Sequence, residues 1–190
     1  MDPYVYPGTS VLKNLRDIRD PGRLSKFEMD MTTRRLTELG RKPIQGKFDT
    51  QHLQTIHRYI FQDVYAWAGE FRTVNISRSS QFPFAFSDHI PASLGRFGSE
   101  LQKERYLASL AFDELVSRLA YFLGELNALH PFRDGNGRAQ REFIRQLAER
   151  NGHALVWSRV SREQMIEASK LSFQRRDNSG LEEIMQIALD

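Results

Sequence analysis

The chain has no cysteine among its 190 residues. That excludes disulfides, thiolate metal sites and a cysteine nucleophile, and it fits any compartment. No apolar run approaches the ~20 residues needed to span a bilayer. The N-terminal stretch Met1-Asp2-Pro3-Tyr4-Val5-Tyr6 lacks a basic segment followed by an apolar one. No Sec signal is visible, so a cytoplasmic location is expected, with export by a route lacking such a signal left open. Charge of one sign is scarce too: 27 Lys+Arg against 24 Asp+Glu give a net charge of +3. So small an excess does not make the pI near 9.3 an argument for direct nucleic-acid binding. Internal repeats, low-complexity tracts and linkers are also missing. At this length a single domain over residues 1–190, able to bury a real core, is expected.

What the chain does have is helical periodicity. Residues 1–21, rich in Pro, Gly and turn formers, read as an irregular N-terminal arm with one short helix near Val11–Leu15. Arg23 to Leu39 carries spaced apolar residues and stops at Gly40. A helix capped near Thr50 has Leu53, Ile56, Ile60 and Phe61 on one face. Pro91 to Arg105, Ser161 to Phe173 and Leu181 to Leu189 add three more. The clearest helix runs from about Asp113 to Leu129. Leu115, Leu119, Phe122 and Leu126 recur at spacings of three and four, and Val116, Ala120 and Leu123 widen the stripe. A face that broad predicts a central, buried helix, which delivers the chain directly to His130. Another helix, about Arg138 to Arg150, leaves the following loop. The expected fold class is mainly α, a bundle around a helix–loop–helix.

Residues 71–86 break the rhythm. Phe71 to Ile76 alternates loosely, Ser77 to Gln81 is polar and turn-like, and Phe82, Phe84 and Phe86 share one face of a strand. Together they predict a β-hairpin, with Pro83 confining its strand to an edge. An exposed edge can pair with an extended peptide, or the hairpin can simply cover the core with its phenylalanines as packing.

The densest chemistry lies in His130-Pro131-Phe132-Arg133-Asp134-Gly135-Asn136-Gly137-Arg138-Ala139-Gln140-Arg141. A glycine-bracketed turn entering a helix presents backbone N–H groups and a favourable dipole to an anion. Arg138 and Arg141, one turn apart, can reach the same ligand. Asp134 can hold one magnesium whose other positions go to phosphate oxygens and water. His130 can take a proton from an incoming hydroxyl. These are the parts for holding a nucleoside polyphosphate and acting on its phosphorus. Phe132 is expected to anchor the loop in the core, Arg133 to be solvated, and Arg145 to be a surface or salt-bridge residue. His52, His57, His89 and His153 show no metal-site spacing, and Trp67 and Trp157 are expected in the core.

This stretch resembles the Fic-domain signature, H-P-F-x-[D/E]-G-N-G-R-x-x-R, at every specified position. Asp63 to Ile76 is similar to the segment leading into that family's substrate-binding hairpin. Tyr6-Pro7-Gly8-Thr9-Ser10-Val11-Leu12-Lys13-Asn14 is similar to the start of bacterial Fic toxins and related secreted effectors. The resemblance implies the Fic fold and protein adenylylation. ATP with Mg²⁺ would lie over Gly135, Asn136 and Gly137, held by backbone N–H groups and Asn136. Arg138 would contact the β-phosphate region, Arg141 the γ-phosphate, and Asp134 the metal. His130 would deprotonate a Tyr, Ser or Thr hydroxyl of a target protein, and AMP would pass to it. Residues 71–86 would be the flap that docks the target, with Thr73, Val74, Asn75, Ile76, Phe82 and Phe84 as its docking residues.

Gly137 stands where Doc-type kinases carry Lys, which favours AMP transfer over phosphate transfer. UTP and CDP-choline donors stay open, as does a non-catalytic nucleotide- or nucleic-acid-binding module. Many Fic proteins also carry an inhibitory [S/T]-x-x-x-E-[G/N] helix whose Glu pairs with the arginine matching Arg141. No Glu-Gly or Glu-Asn dipeptide occurs here. The resemblance then implies a toxin restrained by a separate small antitoxin, or part of a longer effector acting in a host cytosol. A type II topoisomerase is the implied first target, and no membrane partner is expected.

Overall fold

The periodic segments all fold as helices. Residues 2–79 and 82–190 are described by a computed structural model, which contains seven α-helices, α1 (Pro21–Arg41), α2 (Thr50–Phe61), α3 (Ile90–Lys103), α4 (Phe112–Leu129), α5 (Asn136–Arg150), α6 (Arg162–Arg175) and α7 (Ser179–Ala188). Their starts follow from capping chemistry. Asp20 and Asp49 accept from the amides of Arg23 and His52, and Pro21 occupies the first turn of α1. Ser161 and Gln164 form a reciprocal capping box at α6.

Helix α4 is the centre, as its broad apolar stripe requires. Leu115, Val116, Leu119, Ala120, Phe122, Leu123 and Leu126 are all buried. It packs against α3, α5, α6 and α7, while α5 also packs on α2, and α2 on α1. The N-terminal arm departs from expectation: no helix forms near Val11–Leu15, and Val5 instead bridges Leu12 antiparallel. A cross-arm bridge fixes Val11 and Leu12 on the core, and both are buried.

The hairpin is shorter and shifted. Its strands are β1 (Ser77–Ser79) and β2 (Phe82–Pro83), antiparallel, with Ser77 opposite Pro83. The paired residues of β1 thus fall inside the stretch read as a turn, and the loosely alternating residues 71–76 precede the strand, with the Ile76 carbonyl accepting from the Phe84 amide across the hairpin at 3.2 Å. Ser80 and Gln81, the end of that expected turn, lie outside the described residues. The three phenylalanines do not share one fate. Phe84 is buried, while Phe86 is 54% exposed, because regular strand geometry ends at Pro83.

Candidate active site

The loop between α4 and α5 is braced by its own residues. Asn136 Oδ1 accepts from the Phe132 amide and its Nδ2 donates to the Phe132 carbonyl, both at 2.8 Å. Both ends of the buried amide are consumed, so the Asn136 side chain is a brace and not the phosphate contact expected of it. What Asn136 offers the cavity is its main-chain N–H. Phe132 is fully buried, as an anchor should be. His57, from α2, stacks on its ring with centroids 3.8 Å apart. The His57 Nδ1 accepts from the Gly69 amide at 2.9 Å, and its Nε2 donates to the Asp134 carbonyl at 3.0 Å. Burial pushes its pKa down to about 3, so this imidazole is neutral and holds the loop.

Gly135 takes φ +76°, and a Cβ there would sit 2.2 Å from Phe61 Cζ. Both the backbone conformation and the close ring demand glycine. Beyond it α5 begins. The first helical hydrogen bonds come from Arg138 and Ala139 to the Gly135 carbonyl, so among the described residues the amides of Asn136 and Gly137 have no protein acceptor. Unpaired amides at a helix N-terminus are an anion site.

Two arginines flank this site in different electrostatic situations. Arg138 Nη2 donates to Glu28 Oε1 at 2.7 Å, and its guanidinium lies over the Phe61 ring at 4.5 Å. Glu28 is fixed in turn by the Tyr65 hydroxyl. Arg141 has no carboxylate within salt-bridge distance among the described residues. Burial and the like charge of Arg138 both pull its pKa down. A desolvated, unbalanced cation attracts an anionic ligand. Asp134 is half exposed, with Oδ1 taking the Gly135 amide.

His130 ends α4 in the left-handed conformation, φ 45° and ψ 60°. Its Nδ1 lies 3.1 Å from the Asn127 carbonyl. A carbonyl only accepts, so Nδ1 carries the proton and Nε2 keeps its lone pair. Phe84 stacks face to face on the imidazole, with centroids 3.9 Å apart. Burial, against the raising effect of the Asn127 carbonyl and helped by Arg72 and Arg78, pushes the His130 pKa down to about 4. At neutral pH the ring is an uncharged proton acceptor.

These residues meet in a cavity of about 590 Å³. His130, Asp134, Gly135, Asn136, Gly137, Arg138 and Arg141 line it, with Asn75, Ile76 and Phe84 from the hairpin side. Three expected docking residues lie elsewhere. The Thr73 amide donates to the Tyr4 hydroxyl at 3.1 Å, the Val74 carbonyl accepts from Arg72, and Phe82 faces Phe173. Arg133, expected to be solvated, is held by Asp2 at 2.7 Å. Arg145 pairs with Glu142 and Glu149, away from the cavity. Sequence reasoning missed Glu28, His57 as a loop brace, and Arg72. Only Arg72 left a signal: it shares the strand parity of Val74 and Ile76, the inward apolar face.

Residues 47–148 match the family model described as Fic/DOC family. The chain is 44% identical over 172 residues to the protein adenylyltransferase VbhT of Bartonella schoenbuchensis, covering 90% of this chain and 36% of that protein. It is 37% identical over 169 residues to the probable protein adenylyltransferase Fic of Escherichia coli, covering 89% and 83%. It therefore spans about a third of the first relative's length and most of the second's. Among solved structures, the BepC effector of Bartonella tribocorum with bound AMPPNP superposes with a TM-score of 0.92 at 25% identity, covering 98% of this chain and 96% of that one. None of the described helices is long and apolar enough to cross a membrane.

Proposed function

This chain belongs to the Fic/DOC family, and we propose that it is a protein adenylyltransferase that moves AMP from ATP to a hydroxyl side chain of a target protein. The observation that carries this is the fixed tautomer of His130. With Nδ1 donating to the Asn127 carbonyl, Nε2 is the lone-pair nitrogen of a side chain lining the same cavity as both arginines and the α5 N-terminus. A base and an anion site share one chamber.

In this mechanism the triphosphate lies over the free amides of Asn136 and Gly137, with Arg138 and Arg141 on its charged oxygens. The target hydroxyl gives its proton to His130 Nε2 while its oxygen bonds to the α-phosphorus. The bond from that phosphorus to the bridging oxygen breaks, and pyrophosphate leaves. Positioning and charge neutralisation supply most of the acceleration, with general-base help of ~10²–10⁴. The donor set fits magnesium carried in with ATP. Asp134 is one exposed carboxylate, with no cluster of three metal-seeking side chains among the described residues, and magnesium commonly takes one carboxylate plus phosphates and water. Asp134 would hold that ion, which neutralises phosphate charge when bound.

The partner side follows from Arg141. Among the described residues its cation has no carboxylate partner, and the sequence contains no Glu-Gly or Glu-Asn dipeptide. It also borders a second cavity of about 610 Å³ lined by Trp157, Val160, Met165 and Ile166. Those features support a toxin whose Arg141 is paired by a glutamate from a separate small antitoxin, acting in the bacterial cytoplasm or, as part of an effector, in a host cytosol. A type II topoisomerase is the first target to try.

The test is labelling of a bacterial lysate. ATP labelled at the α-phosphate should mark a protein band, γ-labelled ATP should not, and His130→Ala should mark none. Label from the γ position alone would replace adenylylation with phosphate transfer.

A further inference from the structure

Among the described residues Arg72 is the largest fully buried side chain, 2% exposed, and no carboxylate of those residues lies within salt-bridge distance of it. Its guanidinium instead donates only to main-chain carbonyls. Nε reaches His130 O at 2.8 Å, Nη1 reaches Val74 O at 2.8 Å, and Nη2 reaches both Ala85 O and Leu129 O. Its own amide donates to Pro131 O at 2.9 Å. One residue thus binds three consecutive carbonyls, 129 to 131, where α4 ends in the left-handed turn, and one carbonyl from each side of the hairpin. Burying an uncompensated cation is costly unless it does something a neutral residue cannot. A methionine would fill the volume but tie nothing together.

We infer that Arg72 is the positioning residue that locks the hairpin to the His130 turn, so that the docked hydroxyl and the proton-accepting nitrogen are held in one register. This rests on the role of His130 as the base. The geometry supports it from a second side, because the Ala85 amide donates to the Ala128 carbonyl and Phe84 stacks on the imidazole. Arg72 also acts on His130 through its charge. The charged groups around that ring are Arg72, Arg78 of the hairpin, and Arg133, Asp134, Arg138 and Arg141 along the cavity. Arg72 and Arg78 disfavour the imidazolium.

Three proteins decide it: wild type, Arg72→Met and Arg72→Lys. Each is measured for ADP affinity, for AMP transfer, and for the His130 ring titration by NMR. In Arg72→Met, kcat should fall at least about tenfold while ADP affinity changes less than about threefold, since the loop keeps its Asn136 and His57 braces. The His130 titration should move upward from about 4 once the like charge of Arg72 is gone, with burial still holding it below the free imidazole value. Arg72→Lys keeps the charge but loses the fork, so the titration should stay near wild type while kcat still falls. The NMR arm does not depend on any reaction, so it survives failure of the adenylylation reading. An unmoved titration in Arg72→Met, or ADP affinity falling in step with kcat, overturns the inference. So does loss of fold in both variants by circular dichroism, which would make Arg72 a general core residue.

Discussion

The rings of Phe84 and His130 lie face to face, centroids 3.9 Å apart and planes 13° from parallel. One belongs to the strand leaving the hairpin, the other to the turn that ends α4, and 46 residues of chain separate them. The contact sets the imidazole's orientation and removes one of its faces from water. Phe84→Ala should cut kcat about three- to tenfold, the size of a lost aromatic pair. It should also raise the His130 titration above its depressed value of about 4. Steady-state kinetics and NMR on the same variant check both; unchanged values on both counts would make Phe84 plain packing.

Stability should depend on pH through two buried imidazoles. His57 and His130 have pKa values pushed down to about 3 and about 4 by burial, against ~6.5 in the unfolded chain. Between pH 4 and 6.5 the unfolded state binds more protons, so stability rises with pH across that window and levels off above it. Thermal melts should show Tm climbing by several degrees, about what a few kcal/mol produce in a chain this size. A flat profile over that range would contradict the burial of both rings.

The two glycines of the loop should behave differently. At Gly135 a Cβ meets Phe61 at 2.2 Å in a positive-φ backbone, whereas at Gly137 the nearest atom is Arg141 Nη1 at 3.2 Å, the end of a long side chain. Gly135→Ala should lower Tm and weaken ADP binding at least about tenfold, by forcing the loop off the α5 N-terminus. Gly137→Ala should keep the wild-type Tm within about two degrees. Calorimetry on the pair separates them.

Glu28 anchors the cation that faces the cavity. Glu28→Ala removes the 2.7 Å partner of Arg138 and the acceptor of the buried Tyr65 hydroxyl. An orphaned buried hydroxyl costs about 1–3 kcal/mol, so a Tm drop of several degrees is expected. KM for ATP should rise with it, because Arg138 is no longer held. If KM falls instead, Glu28 competes with phosphate for Arg138 and does not position it.

Asn136→Asp tests the brace. A carboxylate can accept from the Phe132 amide but cannot donate to the Phe132 carbonyl. The variant should lose stability and ADP affinity together, whereas a direct side-chain contact with phosphate would cost affinity alone.

Local signals carried most of the fold. The three-and-four spacing of Leu115, Leu119, Phe122 and Leu126 located α4 and its burial, and the cap expected near Thr50 and the start expected at Ser161 lie within a residue of the observed caps, Asp49 and Ser161. Local signals failed where pairing overrides pattern. The arm near Val11–Leu15 bridges across itself, and the hairpin's strands form one step later than the alternation of residues 71–76 suggests.

The sequence by itself determined the chemical parts: the order His130 to Arg141, the helix feeding it, and a glycine-bracketed turn that presents backbone N–H groups where the next helix begins. Those features depend on residues close in the chain, where side-chain type and spacing dictate geometry. Only the tertiary structure decided how the parts are held. Arg72 reaches carbonyls on three segments, His57 holds Asp134 from 77 residues away, and Glu28 holds Arg138 from 110 residues away. Contacts at that separation have no period to read, because they exist only once the helices have packed.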